Sequence, residues 1–97
     1  MPAMVRAPAV AGSWYPAEAA ALASELERHL AKAARRTPRA GVVALISPHA
    51  GLRCSGPVAA WGYKLLREVA PRTIVMVGPS HRMAFRGVSV WPQGEWG

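Results

Sequence analysis

Two short apolar runs in this chain end in the same way, and that repetition constrains the fold more than anything else in the sequence. Residues 42–47, VVALIS, lead straight into Pro48, His49, Ala50 and Gly51; residues 73–78, TIVMVG, lead into Pro79, Ser80 and His81. Both runs are β-branched and apolar on both faces, the pattern of parallel strands covered by helices on either side. In open parallel α/β sheets, ligand sites form beyond the carboxyl ends of the strands, where loops from neighbouring strands converge. Neutral imidazole is the commonest metal ligand, so His49 and His81 are candidate ligands at one sheet edge. The prolines restrict the backbone on the approach, and Gly51 and Gly78 allow it to turn.

The segments around these runs read as helices. Residues 16–36 carry Pro16 at a first helical position, Glu18 in the first turn, and Lys32, Arg35 and Arg36 in the last. Leu22, Leu26 and Leu30 recur every fourth residue and form a stripe that packs on another element. Thr37 and Pro38 end this helix. Ser55, Gly56 and Pro57 read as the start of a second helix over residues 58–69, with Val58, Trp61, Leu65 and Val69 at helical spacing and Pro71 as its stop. The expected fold class is therefore α/β: a βαβ unit with parallel strands, a right-handed crossover and an outer N-terminal helix. Residues 87–91 alternate weakly and suggest a third strand. His29, midway along the first helix beside the leucines, reads as an ordinary flank residue.

Ninety-seven residues make at most one small domain, and 52% hydrophobic composition suits a packed core. The single cysteine, Cys54, rules out an internal disulfide and fits a reducing compartment. Nothing near the N-terminus reads as a signal peptide, and no apolar run approaches the roughly 18 residues of a membrane span. These features lead us to expect a soluble, cytoplasmic chain without a membrane partner. The formal charge of +7 is spread along the chain, with one cluster at Lys32, Arg35, Arg36 and Arg39 where the first helix ends. Cations there offset the negative end of the helix dipole, so no specific nucleic-acid partner is expected.

Three motifs in register, AGSWYP at residues 11–16, PHAG…SG at residues 48–56 and GPSH at residues 78–81, resemble the Memo family, also called AmmeMemoRadiSam system protein B. The resemblance covers nearly the whole chain, and the order, spacing and intervening helix all agree. The family is similar to the catalytic subunits of class III extradiol dioxygenases, non-haem iron enzymes with a three-layer α/β fold. That similarity implies a divalent metal, iron ahead of copper or zinc, with His49 and His81 at two ligand positions. It places Trp14 at the pocket rim; Arg53 and Cys54, in the loop after His49, and Ser80, beside His81, are further pocket candidates by their position in the sequence. Leu52 and Cys54 stand where the family commonly has aromatic residues, which changes any stacking preference of the pocket.

Family members are much longer, and their remaining ligand, a cysteine or carboxylate, comes from a part not in this chain. The resemblance thus implies that residues 1–97 form the N-terminal portion of one Memo-like domain, or a truncated product. The function it implies is a metal-dependent oxidoreductase of dioxygenase type. No Asp and only five Glu occur here, none beside a histidine motif, so no general base is evident and the catalytic residues stay unassigned. The alternatives are a module binding phosphopeptides or acidic ligands, as Memo-like proteins of eukaryotes are linked to phosphotyrosine peptides, or a fragment inactive alone. Partners would be a small molecule or peptide. Strands apolar on both faces with thin helical cover also predict that the isolated chain self-associates.

Overall fold

A computed structural model of the chain describes residues 4–34 and 41–97. Four elements follow in order: strand β1 (Val5–Arg6), helix α1 (Ala19–Lys32), helix α2 (Leu52–Val69) and strand β2 (Glu95–Trp96). The strands are parallel, so the chain is α/β with two helices between two parallel strands. It divides into two compact units. One is Val10–Pro71, which holds both helices; the other comprises β1 and Arg72–Gly97, which holds β2.

The strands form where the apolar runs do not. Residues 42–47 and 73–78, and the suggested strand at 87–91, carry no ladder; the paired residues are Val5 with Glu95 and Arg6 with Trp96. A strand apolar on both faces is stabilised by cover on both sides, and these runs lack it among the described residues. Val43 and Ile46 are fully exposed, and Val75 and Val77 nearly so. Without that burial nothing offsets the entropy of extending and pairing them.

The β1–β2 pair is held by local chemistry instead. The Glu95 amide donates to Met4 O at 2.8 Å and the Gly97 amide to Arg6 O at 2.9 Å. The Arg6 guanidinium lies over Trp96, 4.2 Å from its ring centroid, and 5.4 Å from that of Trp91, close enough for cation–π attraction to both. Gly94 turns the chain into β2 with φ +80°, in the left-handed region, and a Cβ there would collide with the Met4 carbonyl.

Helix α1 starts three residues after Pro16. Glu18 is its N-cap, with carboxylate oxygens accepting the Ala20 and Ala21 amides at 2.9 and 2.7 Å. A longer carboxylate thus does the work usual for Asp or Ser. The helix ends at Lys32; Arg35, Arg36 and Arg39 of the expected basic cluster lie outside the described residues. Helix α2 starts six residues before the expected 58, with Pro57 inside it. Pro57 lacks the amide that would bond the carbonyl of residue 53, yet it sits early enough for the helix to run on past it. Ala70 closes α2 in the left-handed conformation, its amide donating to Leu66 O, and Pro71 follows.

The helices pack on each other. Among the described residues the buried apolar ones are small, Ala33 and Ala60, joined by buried Ser55 and Gly56, and small residues let helix backbones approach closely. Leu22 and Leu30 are half-buried, whereas Leu26 stays exposed. Lys64 on α2 donates its ammonium to Leu30 O at 3.0 Å and Ala33 O at 2.6 Å, satisfying carbonyls that α1 leaves open at its C-terminus. Arg67 on α2 pairs with Glu27 on α1 through both guanidinium nitrogens.

Candidate functional site

The WYP segment makes a tight turn that reaches the PHAG loop. Val10 O accepts the amides of Ser13 and Trp14 at 3.2 and 3.0 Å and the Ser13 hydroxyl at 3.0 Å; the Gly12 amide donates to Tyr15 O at 2.7 Å. Gly12 supplies the positive φ, +85°, that this turn requires. The turn presents the Trp14 carbonyl to α2, where it accepts the Leu52 amide at 2.8 Å. The Trp14 side chain itself is half exposed. A Cβ on Gly51 would sit 3.4 Å from Trp14 O, so the close approach of the two motifs suits glycine.

The loop carrying His49 is fixed on its other side as well. The Ala50 amide donates to Ser55 Oγ at 2.8 Å, and Gly51 O accepts the Cys54 and Ser55 amides at 2.9 Å. The main chain on both sides of Gly51 is therefore bonded, and His49 is exposed at the edge of that braced segment. Arg53 and Cys54 are exposed in the first turn of α2; the Cys54 thiol is free. Gly51, the N-cap, contributes no side-chain bond.

His81 follows a small turn of its own. The Ser80 hydroxyl donates to Met83 O at 2.6 Å and accepts the Met83 amide at 3.4 Å, folding the chain around His81, which is exposed. Trp14, His49, Arg53 and Cys54 belong to the helical unit, and Ser80 and His81 to the unit of the strands. Among the described residues no group of three or more His, Cys, Asp or Glu could hold a metal ion.

Two residues matter to this region that sequence reasoning passed over. Ser55, expected only to start a helix, ties Ala50 as well, and its place in the SG pair of the PHAG…SG motif is the signal for it. His29 is not a flank residue. Its side chain is four-fifths buried against α2, with Nε2 closed off from solvent. Helical periodicity placed it beside the leucines but gave no sign of what it meets.

A chain of two packed helices, a parallel strand pair and two loops with a histidine after proline belongs to the α/β class. Residues 6–97 match the family model described as Memo-like protein, and the chain belongs to that family. A MEMO1 family protein of Thermotoga sp. (strain RQ2) is 38% identical over 103 residues, covering 96% of this chain and 37% of that protein. Relatives of the same description in Ignicoccus hospitalis and Pyrobaculum arsenaticum are 41% and 40% identical, covering 96% and 95% of this chain and 36% and 35% of theirs. The chain thus spans little more than a third of the length of these relatives. No solved structure matches it significantly. No helix among the described residues is long and apolar enough to cross a membrane.

Proposed function

We propose that this chain contributes His49 and His81 as two imidazole ligands to a divalent metal, iron foremost, in an oxidoreductase resembling the class III dioxygenases. The observation that carries this reading is the bracing of the PHAG loop. Trp14 O and Ser55 Oγ hold the main chain at Leu52 and Ala50, so His49 leaves a prepared segment rather than a loose one. Ser80 performs the corresponding bracing beside His81.

The donor set fits the metal in kind. Imidazole suits iron, copper and zinc alike, and both histidines are exposed, as ligands that must meet an ion from solution should be. Two imidazoles fill only part of a coordination shell, so binding by this chain alone should be weak. Bound ferrous iron would supply oxygen activation; the chain itself would contribute the imidazoles of His49 and His81 as donors. Cytoplasmic operation is part of the same proposal.

A second reading has its own observation. Arg53 lies in the first turn of α2, where the helix dipole is already positive and a cation is unfavourable. An anionic ligand would relieve that arrangement, which favours binding of an acidic or phosphorylated peptide.

Calorimetric titration with Fe(II) under anaerobic conditions, and with Cu(II), tests the first reading. His49→Ala and His81→Ala should each abolish binding. Parent-like affinity in both variants sinks it. Metal-independent binding of a phosphotyrosine peptide, lost in Arg53→Ala, would favour the second.

A further inference from the structure

We infer that His29 is a positioning residue for the His49 loop, acting through the first turn of α2. The ring lies against bare backbone. A Cβ on Gly56 would stand 2.9 Å from His29 Cδ2, 3.0 Å from its Nε2 and 3.0 Å from Leu52 Cδ1, so no side chain fits at position 56 while the ring is there. Glycine inside a helix is unfavourable for the helix itself and calls for a packing reason. The His29 ring is that reason.

No hydrogen bond from Nε2 holds the ring. Nε2 is buried and makes none; Glu25 Oε1, one turn back on α1, lies 3.5 Å away without bonding geometry. A buried nitrogen with no partner is unfavourable, and close packing against α2 is what offsets it.

From the ring the connection runs in short steps. The His29 ring packs at Gly56, and Leu52 Cδ1 lies beside the same position. Ser55, buried beside Gly56, accepts the Ala50 amide at 2.8 Å, and Leu52 donates to Trp14 O at 2.8 Å. Ala50 is bonded directly to His49. A shift of the first turn of α2 therefore moves the peptide from which His49 projects. The importance of this device for chemistry rests on the proposal that His49 is a ligand, but the device can be tested without metal.

Hydrogen exchange on the full 97-residue chain, read by mass spectrometry with fragmentation to single amides, reports the loop directly. His29→Ala should lower protection of the Ala50 amide about tenfold or more while amides 66–70 at the far end of α2 keep theirs. Unchanged protection at Ala50 overturns the inference, and so does an equal loss throughout both helices, which would mark a merely structural role. Gly56→Ala should also lower Ala50 protection, because its methyl group meets the ring. In the double variant the methyl group meets only Leu52 Cδ1, the flexible end of a side chain, so the loss should fall short of the sum of the two single losses; additive losses overturn the inference. With Co(II) as the probe, His29→Ala should weaken binding several-fold in calorimetry. A parent chain that binds no Co(II) overturns the metal reading and leaves the Ala50 measurements to decide this one.

Discussion

The main-chain oxygen of Trp14 accepts the amide proton of Leu52 at 2.8 Å, so two motifs separated by a whole helix in sequence are joined by a single backbone bond. No side chain takes part in that bond. Trp14→Ala should accordingly leave the fold nearly intact, costing within about 0.5 kcal/mol as surface substitutions usually do. Thermal unfolding followed by circular dichroism checks this. A collapse of helical signal would mean that the half-exposed indole, not the carbonyl, holds the motifs together.

Lys64 offers a stronger test of the helix pair. Lys64→Met keeps the aliphatic stem and removes the donor shared by Leu30 O and Ala33 O. Loss of a charged hydrogen-bond donor between part-buried groups should cost about 1.5–3 kcal/mol, measured by urea titration. The cost should fall on α1, whose C-terminal carbonyls lose their partner, so amides in its last turn should exchange fastest.

Acid should weaken the helical unit through two carboxylates. The Ala20 and Ala21 amides hold Glu18 below its ordinary value of 4.5, and the hydrogen bond and charge of Arg67 do the same for Glu27. A carboxyl with a depressed folded pKa binds fewer protons folded than unfolded, so its contribution is present above 4.5 and is lost as pH falls below it. Glu18→Ala and Glu27→Gln should each melt below the parent at pH 7, and the difference should shrink as the pH falls below 4.5. The Glu27 difference should also shrink in high salt, because this pair is exposed.

In the strand unit, Gly94→Ala should release β2. Both the left-handed φ and the collision with Met4 O oppose a methyl group there, and only the second would need the strands to part. Faster exchange of the Glu95 and Gly97 amides, with α1 and α2 unaffected, is the expected result. Unaltered exchange at both amides would contradict it.

Exposed apolar runs should make the isolated chain associate with itself. Val43, Ile46, Val75, Met76 and Val77 are all largely or fully exposed. Such segments are aggregation-prone, and charged residues within them act as gatekeepers. Analytical ultracentrifugation should find oligomers in the parent and a larger monomer fraction in Ile46→Lys and Val77→Lys. A monomeric parent with a cooperative transition would refute this.

The sequence was most informative where a backbone requirement is local. The end of α2 before Pro71 follows from residue types within a few positions of each other. It was least informative where the outcome depends on distant cover. The runs at 42–47 and 73–78 have every local mark of strands, yet strand formation depends on partners that local pattern does not specify. Two dipeptide strands, Val5–Arg6 and Glu95–Trp96, pair instead through Arg6 and its tryptophans, and no periodicity signals so short an element. Pro57 misplaced the start of α2 because proline is commoner at a first helical position than at a sixth. His29 was misjudged for a related reason: helical spacing shows which side a residue takes but not that a glycine on another helix makes room for it.

Helix α2 is held to its surroundings near its head, by Trp14 and His29, and again near its tail, by Lys64 and Arg67. From Leu52 to Arg67 is about 22 Å of helix axis. A rod pinned at one point can swing about it; pinned at two well-separated points, it cannot pivot about either. The direction in which the His49 loop faces is therefore governed by leverage from groups far from it. Only loosening Lys64 and Arg67 together would leave a single hold near the head, about which the helix could turn.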